Sequence, residues 1–202
     1  MDGWVSACGP DGIGRARAER CLGRGYVVVV VGRDATKGKE FLDIAGGIGI
    51  GAGARAHFVR ADLSLVGENA KLLEWITATF PVVDVLVLCA RYHRSVRSET
   101  PEGFESTFAL FYLSRFLLSH GLVEQLERTG SPVILNVAGP GGTSDVQWDD
   151  LQLERGYFGT GALGHGGRLN DLLGVSFTDT YKERRICSVS SRYRVDQFFR
   201  GV

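Results

Sequence analysis

The 202 residues suit one domain, long enough to bury about 70% of the surface that its unfolded chain exposes. The 23 basic and 23 acidic residues cancel and neither sign crowds into one half, so no overall field draws nucleic acid or an anionic membrane towards the chain. The start, MDGWVSACGPDGIG, lacks a basic stretch followed by an apolar one, and no run approaches the roughly 18 apolar residues of a membrane helix, so neither secretion nor membrane spanning is expected. Cys8, Cys21, Cys89 and Cys187 have no metal-type spacing, and Cys89 and Cys187 sit in apolar runs where cysteine behaves as a small hydrophobe. The expectation is a reduced, cytoplasmic protein without a metal.

Along the chain, five short β-branched or apolar runs predict strands buried on both faces: Tyr26 to Gly32, Ala56 to Ser64, Val83 to Ala90, Ser131 to Gly139 and Arg184 to Ser191. A first strand, Gly3 to Ala7, is short, so it is expected to have few ladder partners. Stretches of helical period separate the runs, at Ile13 to Gly23, Lys37 to Leu42, Ala70 to Phe80, Glu105 to Glu127 and Leu163 to Tyr181. The glycine-rich Ala45 to Ala54 reads as a flexible surface loop. The alternation predicts right-handed βαβ units in a single α/β domain spanning 1–202, a doubly wound, Rossmann-like parallel sheet covered on both sides. Ligands in such a sheet bind beyond the carboxyl ends of the strands, here near Gly9 to Gly14, Arg33, Asp62, Cys89 to Arg94 and Gly139 to Trp148.

Those positions carry a resemblance. CGPDGIG (Cys8 to Gly14), VGRD after the second strand, ADLS around Asp62, TPEGFESTFALFYLSRFLL and WDDLQLERGYFGTGALGHGG together resemble the short-chain dehydrogenase/reductase family, in particular its retinol-dehydrogenase-like branch, from about Val5 to Asp196. The resemblance implies a dinucleotide cradle made of Gly9, Gly12, Gly14, Arg33 and Asp62, with Arg33 at a 2′-phosphate, so NADP rather than NAD, and Asp62 beside the adenine. Cys8 stands in place of the first glycine, a gap that Gly9 can fill by a one-residue slip, and Pro10 removes a backbone donor, so weakened NADP binding or none is expected.

The resemblance also shows what is missing. Leu88, Cys89 and Arg91 replace three residues of the Asn-Asn-Ala-Gly motif, Phe111 replaces the asparagine of the proton relay, and Gly139 stands where the catalytic serine would be. Leu163 falls at the catalytic tyrosine and Gly167 at the lysine, while Arg192 and Tyr193 take the place of a Pro-Gly turn. Leucine and glycine side chains move no proton, and losing one general acid costs a factor of about 10² to 10⁴ in rate. The five glycines from Gly159 to Gly167 each cost about 1 kcal/mol within a helix, which predicts a helix that begins late, near Arg168. The usual paired helical face is then in doubt, and a chain that stops at Val202 leaves the substrate cleft open and truncated relative to the family.

Candidate chemistry remains in Arg91, His93, His165, Tyr112 and Asp145, with Tyr92, Arg94, Tyr157 and Trp148 near them; Asp149 and Asp150 read as turn or capping residues. One expectation is a non-redox catalyst, a cyclase or isomerase acting on a small, polyketide-like metabolite. Another is a pseudoenzyme that forms a homodimer or heteromer through its helical face, and a third is residual NADP-dependent oxidoreduction.

Overall fold

In the computed structural model, which describes residues 3–7, 12–138, 145–182 and 187–190, six parallel strands form one sheet in the order β3-β2-β1-β4-β5-β6. They are β1 Gly3–Ala7, β2 Val27–Gly32, β3 Ala56–Arg60, β4 Val85–Leu88, β5 Val133–Asn136 and β6 Cys187–Ser190. Because β-branched side chains pack well on a pleated, doubly covered surface, Val28 to Val31 of β2 lie inside, and Leu86 and Ile134 continue that layer in β4 and β5. β1 is not poor in partners: Gly3 to Ser6 pair with β2 and Trp4 to Ala7 pair with β4, so the shortness of this central strand is offset by ladders on both edges.

The helices are α1 Gly12–Gly23, α2 Ala35–Ile48, α3 Ala52–Arg55, α4 Val66–Thr79, α5 Ser106–Phe108, a π-helical turn Ala109–Leu113, α6 Ser114–Gly121, α7 Val123–Glu127 and α8 Gly159–Thr180. They cover both faces of the sheet, each over its own apolar cluster. One cluster joins Val29, Val31, Leu86 and Ile134 to α4, α6 and Phe177 of α8, and the other joins Val28, Val30 and Leu135 to Leu22, Phe41 and Ala45.

Two expectations fail. Ala45 to Ala54 is not a flexible loop: α2 runs through it to Ile48 and α3 begins at Ala52, with Ala45 and Ala52 buried against the sheet. Likewise α8 starts at Gly159 rather than near Arg168. Intrinsic propensity disfavours glycine in a helix, but burial of Ala45 and Ala52 holds the first segment, where a Cβ on Gly46 or Gly47 would meet nothing within 4 Å, and close packing at Gly159 and Gly166 holds the second.

Capping locks the connections. The Asp34 carboxylate accepts from the amides of Thr36 and Lys37 at 2.9 and 3.2 Å, and Glu105 does the same for Thr107 and Phe108 at 2.8 and 2.6 Å. Asp150 accepts from the amides of Glu154 and Arg155 at 2.8 and 2.9 Å, the turn role read for it in the sequence. Cys21 is free and buried, whereas Cys89 is disulfide-bonded, so the reduced state expected of the four cysteines does not hold there. Among the described residues no helix is long and apolar enough to cross a membrane, and no group of three metal-ligating side chains occurs.

Candidate functional site

Strand order reverses between β1 and β4, and the residues leaving β2, β3, β4 and β5 converge at that end of the sheet. On the β2 and β3 side, Nη1 of Arg33 lies 3.5 Å from Oδ2 of Asp62. The other Asp62 oxygen accepts from the Ser64 amide and hydroxyl at 3.0 and 2.7 Å. Partial burial works to raise the Asp62 carboxyl, but the Ser64 donors and then Arg33 outweigh it and hold the group below the ordinary carboxylate range. Tyr92, four residues past β4, enters the same corner. The guanidinium of Arg33 lies over its ring at 5.6 Å from the centre and that of Arg94 at 4.9 Å, while its hydroxyl donates to the Ser106 carbonyl at 2.7 Å. Each cation over a ring face contributes about 0.5 to 1 kcal/mol at a partly exposed site.

The β4 and β5 side is built differently. Arg115 projects from α6 into the interior and is 1% exposed. Its guanidinium donates to the carbonyls of Ala90 (3.0 Å) and Val137 (3.1 Å) and to Oδ1 of Asn136 at the end of β5. All of these partners are uncharged. Burial, reinforced by Arg91 nearby, pushes Arg115 down to about 9, which leaves it cationic at neutral pH. Nδ2 of Asn136 donates to Oδ1 of Asn170 at 3.0 Å, and Nδ2 of Asn170 donates to the carbonyls of Phe111 and Gly166, both at 2.7 Å.

Phe111 is the pivot of this network. It sits in the π-helical turn, where the Ser114 amide reaches the Ala109 carbonyl and the Ser114 hydroxyl satisfies the Leu110 carbonyl at 2.7 Å. The ring is 1% exposed, with Arg115 4.6 Å from its centre on one side and Arg91 at 5.6 Å. It lies so close to α8 that a Cβ on Gly166 would stand 2.7 Å from its Cδ1. The bulk added at Phe111 is thus accommodated by the side chain that position 166 lacks.

His165, from the next position on α8, is buried at 4% exposure. Nε2 lies 3.1 Å from the Leu151 carbonyl and Nδ1 lies 3.4 Å from the Gln147 amide, a pair that the Nε2-protonated tautomer satisfies. Burial lowers its pKa, so the ring is neutral and both nitrogens are engaged by backbone. It is a clamp on the loop that carries Asp145, which is itself exposed. Tyr112 occupies a different helix face from Phe111, in a row with Phe108 at 5.4 Å and Phe116 at 6.5 Å, and burial raises its phenol. Arg91 and His93 are exposed beside the cleft, and the Arg94 carbonyl and His93 Nε2 would lie 2.1 and 2.7 Å from a Cβ on Gly159, so this loop rests on the first turn of α8. Gly12 opens α1 and Gly14 is buried in its first turn, while Gly9 and Gly139 lie outside the described residues.

Of the candidates, therefore, Arg33 meets Asp62 and Arg91 meets Phe111, while His165, Tyr112 and Asp145 do not converge with them on one point. Sequence reasoning passed over Arg115, Asn136 and Asn170, and took Gly166 only as a cost to the helix. A signal existed: Arg115 is the one cation in the apolar run Leu113 to Leu118.

The family model for short chain dehydrogenases matches residues 6–148, more than half of the chain. The chain belongs to that family. Among its curated relatives, polyprenol dehydrogenase of Homo sapiens is 26% identical over 149 residues, covering 71% of this chain and 44% of the relative. Retinol dehydrogenase 12 of Mus musculus is 27% identical over 161 residues, covering 79% of this chain and 50% of the relative. The chain spans about half or less of the length of the curated relatives it matches. A short-chain dehydrogenase from Streptomyces avermitilis shares the fold at a TM-score of 0.73 and 18% identity, over 95% of this chain and 65% of that one. The RhlG/NADP complex of Pseudomonas aeruginosa does so at 0.67 and 21% identity, over 92% and 70%.

A dinucleotide of the kind the family uses does not fit the described residues as they are arranged. Arg33 is engaged by Tyr92 and Asp62, and the ring of Phe111 is packed against Gly166 of α8, beside the Arg115 that bridges the ends of β4 and β5. No chemical step is assigned through such a group.

Proposed function

We propose that this chain is a non-redox member of the short-chain dehydrogenase family that works by association, its helical face meeting a second copy of itself. The observation that carries this reading is the packing of Phe111 onto Gly166 above the buried Arg115, Asn136 and Asn170 network. Where the family resemblance implies a relay of proton donors, this network turns its bonded donors to internal oxygens and leaves Nε of Arg115 buried without a partner. A general acid must reach the reacting atom. Both hydrogens of Asn170 Nδ2 are taken by buried carbonyls, and Nε of Arg115, which has no partner, is itself buried away from the cleft.

The helical face supports the second half of the reading. Phe108, Tyr112, Phe116 and His120 stack in a row along α5 to α6, and His120 Nδ1 meets the Tyr181 hydroxyl just past α8 at 3.1 Å. On these two helices Phe116 is 39% and Val175 70% exposed. Exposed apolar side chains suit a two-fold contact between copies of the chain, where each residue meets an equivalent one, with Asp171 and Asp179 lying one turn either side of Val175. The test is light scattering after gel filtration, with NADPH consumption followed in parallel on a panel of aldehydes and ketones. The expected result is a dimer that Phe116→Glu with Val175→Glu converts to a monomer, and no saturable turnover. A monomeric wild-type chain removes the association half, and saturable NADPH oxidation removes the non-redox half.

A second reading, catalysis of a cyclisation or isomerisation of a small anionic, polyketide-like molecule, is favoured by the exposed Arg91, His93 and Arg94 at the cleft mouth. Loss of ligand-induced thermal stabilisation in Arg91→Ala together with His93→Ala would support it.

A further inference from the structure

We propose that Tyr92 is an internal stand-in for an adenine ring, a flat side chain clamped by Arg33 and Arg94 in the corner where a nucleotide would stack. Three strand ends define that corner: Arg33 follows β2, Asp62 follows β3 and Tyr92 follows β4. In a sheet whose order reverses between β1 and β4, a dinucleotide crosses that reversal, and its adenosine half extends over β2 and β3. An arginine just past β2 meets the nucleotide there through its phosphate and through stacking on the base. In this chain the guanidinium of Arg33 lies beside both an aromatic ring and a carboxylate. Its Cζ is 5.6 Å from the centre of the Tyr92 ring, and its Nη1 is 3.5 Å from Asp62.

The clamp is fixed from three more directions. Arg94 covers the ring at 4.9 Å, the hydroxyl is tied to the Ser106 carbonyl at 2.7 Å, and the ring edge packs on the apolar cluster beneath the sheet end. Asp62, which resembles the family's adenine-side aspartate, spends one oxygen on Ser64 and the other on Arg33. A base entering the corner must displace a ring that is stacked and hydrogen-bonded, and it gains only the contacts that the ring gives up. The plug therefore excludes nucleotide without any change in the residues that would otherwise bind it.

This inference deepens the non-redox reading and rests on it only in part, because exclusion of nucleotide and absence of turnover are separable. The probe is 2′,5′-ADP, an adenosine half that needs neither the nicotinamide side nor the residues around Phe111, titrated by calorimetry into the full chain. The Tyr92→Ala variant is expected to bind it at least ten-fold more tightly than the wild type, whereas Tyr92→Phe, which keeps the ring and loses only the hydroxyl, is expected to match the wild type. Arg94→Ala, an exposed change that loosens one side of the clamp, is expected to give an intermediate gain and serves if Tyr92→Ala does not fold by circular dichroism. Equal affinity in wild type, Tyr92→Ala and Arg94→Ala, whether tight or undetectable, overturns the plug. NADPH turnover in the wild type would overturn the non-redox reading instead, and a variant that gains nucleotide binding without turnover upholds both.

Discussion

At the scale of single residues, the contact between Phe111 and Gly166 makes a sharp prediction. Alanine in place of glycine inside a helix gains about 1 kcal/mol of propensity, but overpacking a filled interior costs about 1 to 3 kcal/mol. At Gly166 the added methyl would stand 2.7 Å from Phe111 Cδ1, a ring atom held between two guanidinium groups, so the clash wins. Gly166→Ala is expected to lower the urea midpoint, and Phe111→Leu, which shortens the obstruction, to recover part of the loss in the double variant. Additive effects in that cycle would show that the two sites do not touch. Arg115→Met should also destabilise, by about 1 to 3 kcal/mol, since it fills the volume but leaves the buried acceptors of Ala90, Val137 and Asn136 without a donor. These residues were the least legible part of the sequence. Phe111 read as a loss from a family pattern and Gly166 as a cost to the helix, and only their packing in the fold shows that each accommodates the other.

At the scale of elements, legibility followed burial. The valines of β2 and the apolar runs of β4 and β5 announced the sheet because strands covered on both faces need such side chains, and the order of elements carried the doubly wound topology. The helix starts were hidden because glycine propensity says nothing about close approach. α8 begins at Gly159 because a backbone carbonyl, that of Arg94, lies 2.1 Å from where a Cβ would be, leaving room for hydrogen alone. Gly159→Ala is therefore expected to push the loop from Arg91 to Arg94 off the helix or to unwind its first turn. Amide hydrogen exchange should show faster exchange confined to residues 159–163 and 91–97. Faster exchange across the whole sheet instead would mean that this contact sets global stability.

At the scale of the whole molecule, three partly or fully buried histidines tie stability to pH. Burial lowers the pKa of His57, which lies edge-on to Trp75 and Phe80, of His120, which lies against Phe177 and Tyr181, and of His165, which is clamped by Leu151 and Gln147. In the unfolded chain each takes up a proton near its ordinary value of about 6.5, while in the folded chain each resists protonation to a lower pH. The unfolded state thus binds more protons in that window, so the stability these sites contribute is fully present above pH ~6.5 and is lost as the pH falls below it. Asp62 behaves as a depressed carboxyl, so its contribution is present above about pH 4 and is lost only at stronger acid, which separates the two effects. Urea midpoints measured at pH 8, 7, 6 and 5 are expected to hold steady at the top of this range and to fall between pH 7 and 5. Each histidine contributes a slope of at most about 1.4 kcal/mol per pH unit. His165→Gln should flatten that fall by up to one histidine's share, and it should lower the midpoint at pH 8, because a clamp on the loop before α8 has been weakened. An unchanged slope in the variant would mean that the buried ring already accepts its proton at the ordinary pH, and that its two backbone contacts do not hold it neutral.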